Sequence, residues 1–209
     1  MSLHNKRVLI TAGPTWVPID EVRVISNIAS GETGILLAEK LLKVRAKVTL
    51  VLGPAGFCCI NKKIKLIRFK FFDQLRNKLK KELLSKNYDV IIHCAAVSDF
   101  KPAKSIKGKM KSGQGFNLRL TPLPKIADEI RGLAPAACLV LFKLEFGIPD
   151  QELIRRARKA LLKAQADLIV ANRITPSYKA FILNKNETLG RINSKKELAD
   201  KLPGFIYKT

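Results

Sequence analysis

Acidic residues are scarce in this chain of 209 residues: 17 Asp and Glu stand against 39 Lys and Arg. Such an excess gives a surface that attracts anions, whether nucleotides, phosphorylated metabolites, nucleic acid or acidic lipid. The lysines are spread along the chain, so an ordinary solvated basic surface accounts for part of it. Histidine is rarer still, with His4 and His93 alone. The four cysteines, Cys58, Cys59, Cys94 and Cys138, form no C-x-x-C pair, so no zinc site is proposed. Cys94 and Cys138 lie in apolar runs and are expected to be buried free thiols. Aromatics make up only 7% of residues, few for the stacking surface of a nucleic-acid-binding module. No apolar run has the roughly 20 residues that a membrane crossing needs. Residues 1–7 lack the apolar centre of a signal peptide, so a cytoplasmic protein is expected, with no membrane partner and no specific nucleic acid.

What is present is a rhythm. Hydrophobic residues make up 47% of the chain, enough for a sizeable core, and one domain over residues 1–209 is expected. Strands are predicted at residues 7–11, 46–52, 64–69, 89–95, 138–144 and 167–172. Helices are predicted at 32–44, 73–86, 126–133 and 150–165, the first with Ser30 as N-cap. Alternating charge places 64–69 at a sheet edge, and the apolar run 89–95 near its centre. Residues 180–183 and 188–192 read as a terminal hairpin, and 194–202 as a closing helix capped by Ser194. Between them, residues 101–115 are rich in Lys, Gly and Ser, and 116–121 read as an exposed strand. A flap or dimerisation arm over residues 101–121 is expected.

Strand–helix–strand units imply a mainly parallel sheet with helices on both faces. In such α/β sheets ligands bind beyond the carboxyl ends of the strands. The first of those ends runs Ile10-Thr-Ala-Gly-Pro-Thr15, and a second glycine-spaced turn, Asn27-Ile-Ala-Ser-Gly-Glu-Thr-Gly34, opens the first helix. Glycines allow backbone N–H groups to approach an anion, and a helix N-terminus adds positive potential. The pattern suits a phosphate, although plain turn punctuation would leave the same residues.

The strand-end segments together resemble phosphopantothenate–cysteine ligase. The residues that carry the resemblance are 10–15, Ile19-Asp20, Val22-Arg23, Ile25-Ser-Asn27, Ser30-Gly31 and Gly34. Ala95-Ala-Val-Ser-Asp-Phe-Lys-Pro102, Lys109-Met-Lys111, Phe142-Lys-Leu-Glu145 and residues 166–172 follow in order. The resemblance implies a Rossmann-like fold and a two-step ligation. The carboxylate of 4′-phosphopantothenate attacks the α-phosphorus of CTP or ATP, pyrophosphate leaves, and the amine of cysteine then captures the acyl-nucleotide. It further implies Mg²⁺, a homodimer, and, since the flavin-dependent decarboxylase of fused relatives is missing from this sequence, a single-function form with no flavin.

The resemblance assigns roles by position. Asn27 supports the acyl-nucleotide and its aminolysis. Lys109, with Lys111 as alternate, reaches over the α-phosphate from the arm. Gly13, Ser30, Gly31 and Gly34 form the phosphate-cradling turn. Asp99 sits by the ribose or binds the metal, and Ala95 and Phe142 meet the base. Lys143, Lys159, Lys163 and Asn172 complete the nucleotide site. The sequence departs from the family pattern at Ala29, Lys125, Lys143 and Arg173, where a polar or acidic group is lost or a cation gained.

Two other classes make different demands on the sequence. A nicotinamide-dependent reductase requires G-x-G-x-x-G after the first strand and an acidic residue ending the second. Here only Gly13 follows the first strand, and the second ends Leu52-Gly53-Pro54. A nucleic-acid-binding module requires a basic face with interleaved aromatics, which the even spread of lysines does not supply.

Overall fold

The computed structural model describes residues 3–55, 59–113, 115–174 and 177–209, so Cys58 lies outside the described residues. Its centre is an eight-stranded sheet. In chain order the elements are β1 (Arg7–Ala12), β2 (Trp16–Pro18), β3 (Val24–Ser26), α1 (Glu32–Lys43), β4 (Lys47–Leu52), β5 (Lys65–Arg68) and α2 (Phe72–Ser85). Then follow β6 (Val90–His93), β7 (Phe100–Pro102), β8 (Leu120–Pro122), α3 (Ile126–Leu133), β9 (Cys138–Leu144) and α4 (Asp150–Lys163). The chain closes with β10 (Leu168–Arg173), β11 (Lys179–Leu183), β12 (Thr188–Ile192) and α5 (Lys195–Tyr207).

The sheet order is β12-β11-β10-β9-β6-β1-β4-β5. The six strands from β5 to β10 are parallel, and the hairpin β11–β12 extends the sheet antiparallel. Strand order reverses between β1 and β6, the switch point at which a doubly wound sheet opens a crevice. Side chains alternate between the two faces. Val8, Ile10 and Ala12 of β1 join a core with Leu37 and Leu41 of α1 and Leu198 and Leu202 of α5. Leu9 joins the opposite core, with Leu75 and Leu79 of α2, Ile130 of α3 and Leu153, Ala157 and Leu161 of α4. Cover on both faces explains why the strands are almost continuously apolar.

β5 is at the edge, as its alternating charge predicts, and β6 is near the middle, as its apolar run predicts. Three local readings are corrected, and one hairpin was not foreseen. Residue 31, not Ser30, is the N-cap of α1: Gly31 has φ 77°, which glycine adopts without the Cβ penalty, and the Ser30 hydroxyl accepts only a long bond (3.3 Å) from Glu32 N. The exposed strand of the arm is confined to Leu120–Pro122, paired with β7, and the described residues 103–113 and 115–119 lie in the loop of that hairpin. α5 runs through Pro203 to Tyr207, because Ile206 is buried and the Phe205 ring packs on Gly190. That packing outweighs the backbone bond that proline removes. Finally, β2 and β3 form a hairpin that three-residue strands with no alternation gave no means of seeing.

Candidate active site

The loops that follow β1 and β6 are zipped together beyond the strands. Thr15 N donates to Ala96 O (3.2 Å), Ala96 N to Gly13 O (3.0 Å), and Ser98 N to the buried Thr15 hydroxyl (2.8 Å). Gly13, with φ 79°, lies against Gly31: a Cβ on Gly31 would meet Gly13 N at 3.3 Å. The N-terminus of α1 is thereby brought onto the carboxyl end of β1. A cavity of about 680 Å³ opens here and runs past the ends of β6, β9 and β10 to residues of α3 and α4.

Gly13, Asn27, Ser30, Gly31, Ala95, Asp99, Phe142, Lys143, Lys163 and Asn172 all line this cavity. Asn27 stands at the end of β3, where its Nδ2 donates to Ala96 O (3.1 Å) and Val97 O (3.4 Å). Its amide is thus oriented by backbone carbonyls of the β6 loop, with the donor end used and Oδ1 left as the acceptor. Ala95 N donates to Thr11 Oγ1 (3.2 Å), and the same hydroxyl shares a hydrogen bond with His93 Nδ1 (2.8 Å). Burial pushes His93 down to about 4, which keeps the ring neutral. Cys94, also on the cavity wall, is pushed up to about 12 by burial, so its thiol is no nucleophile.

Three expected site residues, and the alternate Lys111, are not in the cavity. Gly34 packs α1 on β1 instead: a Cβ there would lie 2.4 Å from that of Ala12. Lys159 is exposed on α4, one turn from Lys163, and only the latter reaches the cavity. Lys109 is exposed on the arm, outside the cavity lining, as is Lys111. The physical reason is a tie between the arm and the β2–β3 turn. Ile106 N donates to Ile19 O (3.3 Å), Glu21 N to Gly108 O (3.3 Å), and Met110 N to the buried Asp20 carboxylate (3.1 Å). Asp20 and Arg23 carried the family pattern, but nothing in their spacing revealed this contact.

The three departures that bring a cation have visible partners. Lys125 forms an ion pair with Asp99 at 2.5 Å, Lys143 with Glu145 at 3.2 Å, and Arg173 with Asp150 at 3.1 Å. Among the described residues no three His, Cys, Asp or Glu side chains gather as a metal cluster. Asp99 offers one carboxylate, shared with an ammonium. That donor set fits an Mg²⁺ delivered on a triphosphate, which takes one protein carboxylate plus phosphates and water, rather than an ion held by the protein alone. Asn172 Oδ1 and Tyr178 OH are sealed from solvent with no hydrogen-bond partner, and Tyr178 is a cavity residue that sequence reasoning missed.

β4 ends at the apolar Leu52 beside Gly31, without the carboxylate a nicotinamide enzyme uses for ribose. No helix among the described residues is long and apolar enough to cross a membrane. The chain is 39% identical over 216 residues to the coenzyme A biosynthesis bifunctional protein CoaBC of Thermococcus kodakarensis, covering 99% of this chain and 52% of that protein. It is 34% identical to CoaBC of Methanocaldococcus jannaschii, covering 98% and 51%. The chain therefore spans about half the length of the curated relatives it matches. Among solved structures, the DNA/pantothenate metabolism flavoprotein from Streptococcus pneumoniae superposes with a TM-score of 0.88 at 27% identity, over 97% of this chain and 99% of that one. The C-terminal domain of CoaBC superposes with a TM-score of 0.79 at 25% identity, over 99% and 98%. Residues 3–203 match the DNA/pantothenate metabolism flavoprotein C-terminal domain, and the chain belongs to that family.

Proposed function

We propose that the chain is the ligase that joins 4′-phosphopantothenate to cysteine through an acyl-nucleotide. The observation that carries this reading is the convergence on one cavity of the β1, β6, β9 and β10 ends, the α1 N-terminus and Asn27. Gly13 and Gly31 bring backbone N–H groups and the helix dipole to a triphosphate, and Lys163 adds a cation. Phe142 and Ala95 face the base, which is that of CTP or, second, ATP. When Mg²⁺ is bound, Asp99 would hold it, and the ion would neutralise triphosphate charge. The substrate carboxylate attacks the α-phosphorus, and pyrophosphate departs with the electrons of the broken P–O bond. The cysteine amine then attacks the acyl carbon, and the nucleoside monophosphate leaves with the carboxylate oxygen. Asn27 Oδ1 accepts a hydrogen bond from the attacking amine, whose proton passes to solvent as the amide forms, and its position is fixed by the two carbonyls that hold Nδ2.

Lys109 supplies positive charge at the developing phosphorane. Because its arm is tied outside its own chain's cavity, we place that lysine over the cavity of a second copy. The same hairpins expose Val22, Val24, Phe100, Phe116 and Leu120, an apolar surface that a homodimer would cover. The reaction belongs in the cytoplasm, where nucleoside triphosphate is available. Pyrophosphate release measured with CTP or ATP, with and without phosphopantothenate and cysteine, tests the reading. Release must require phosphopantothenate. Asn27→Asp must keep release and lose the amide, whereas Lys109→Gln must lose release. Release without phosphopantothenate, or unchanged turnover in either variant, contradicts the reading.

A further inference from the structure

The arm has few fixed points. A Cβ on Gly108, Gly113 or Gly115 would meet nothing within 4 Å, and Lys107, Lys109 and Lys111 are exposed. Such a segment packs on little of the protein, whereas a cation that assists a phosphoryl transfer must be presented repeatedly at one place. The strongest constraint on it comes from one side chain. Asp20 has a carboxylate with no solvent exposure, and its two oxygens do different work. Oδ1 accepts from Val22 N (2.8 Å) and Arg23 N (2.7 Å), which closes the β2–β3 turn on itself. Oδ2 accepts from Arg23 Nη1 (2.5 Å) and from Met110 N (3.1 Å), the amide next to Lys109. Arg23 Nη1 in turn reaches Met110 O (3.5 Å). The Met110 amide is the largest influence holding the Asp20 carboxyl well below its usual range, so the tie is charged at any working pH.

We propose that Asp20 is a positioning residue: through Oδ2 it anchors the arm at Met110 and so fixes where the Lys109 ammonium is presented. The proposal rests on the reading that Lys109 serves the activation step. It acts on that step alone, since nothing about the tie touches the groups around Asn27 that handle the amine.

Asp20→Asn is the test, because it is isosteric and divides the two roles. The remaining oxygen keeps the turn, while the new amide presents N–H to the Met110 N–H and the Arg23 guanidinium. Hydrogen exchange of the full chain without substrates should show amides 106–111 exchanging roughly tenfold faster or more, with the sheet unchanged. Pyrophosphate release should fall roughly tenfold or more. Amide formation, started by adding cysteine to acyl-nucleotide accumulated beforehand, should run at the wild-type rate. Met110→Pro deletes the donor from the arm side, leaves the turn intact, and should give the same exchange pattern. Unchanged exchange in 106–111 in both variants would overturn the anchor. Equal slowing of both half-reactions would overturn the positioning role and leave a merely structural one. A wild-type chain that releases no pyrophosphate would instead overturn the ligase reading, and the exchange result would still judge the anchor.

Discussion

At the scale of single residues, the site depends on side chains whose hydrogen bonds are already assigned. His93 is the clearest case. It is buried beside the cavity, its Nδ1 is hydrogen-bonded to the Thr11 hydroxyl, and burial pushes it from 6.5 down to about 4. The unfolded chain therefore binds a proton at His93 between those values that the folded chain refuses. The sign follows directly: the contribution of neutral His93 is complete above pH 6.5 and is lost as pH falls through the folded value near 4. The loss is on the order of 3 kcal/mol when complete. Urea midpoints at pH 7, 6, 5 and 4 should fall less steeply for His93→Gln than for the wild type. Parallel slopes would show that His93 does not titrate in this way. Neither the pairing of His93 with Thr11 nor the use of the Asn27 amide on Ala96 and Val97 was legible beforehand, since both join residues far apart in sequence.

At the scale of elements, local pattern reported the strands and helices that bury a continuous stripe. α3 at Ile126–Leu133 and β9 at Cys138–Leu144 match the sequence boundaries, because Pro124 and a dense apolar run mark them. The β2–β3 hairpin escaped notice, since strands of three residues make no period and its stability comes from Asp20 and contacts outside itself. The glycines of α1 divide by role in a way spacing did not reveal. Gly31 makes the left-handed turn at the cavity, whereas Gly34 lets the helix approach β1. Gly34→Ala drives a methyl group into Ala12 Cβ and should cost about 1–3 kcal/mol by overpacking. A denaturant titration reads that loss, and a variant as stable as the wild type would show that α1 shifts away from β1 freely.

At the scale of the whole molecule, the parallel sheet and most of the cavity wall were legible in the sequence, whereas the strand order and its switch point were not. Apolar runs fix the strands, and the residues just past them must meet at one edge. The position of the arm was not legible, because it is set by a buried carboxylate and two backbone contacts rather than by any periodic signal. If the arm serves a second copy, inactive Lys109→Gln and inactive Asn27→Asp should complement. Mixed and reassembled one to one, random heterodimers carry one complete site and restore about a quarter of wild-type activity. No restoration would mean that Lys109 swings into its own chain's cavity.

The central claim is that the cavity activates a carboxylate on the α-phosphorus of a nucleoside triphosphate. The direct measurement follows ¹⁸O from the labelled carboxylate of phosphopantothenate in a reaction with cysteine and CTP or ATP. The account predicts one ¹⁸O in the nucleoside monophosphate and the other in the amide carbonyl. Label in inorganic phosphate, with a nucleoside diphosphate as co-product, would contradict it.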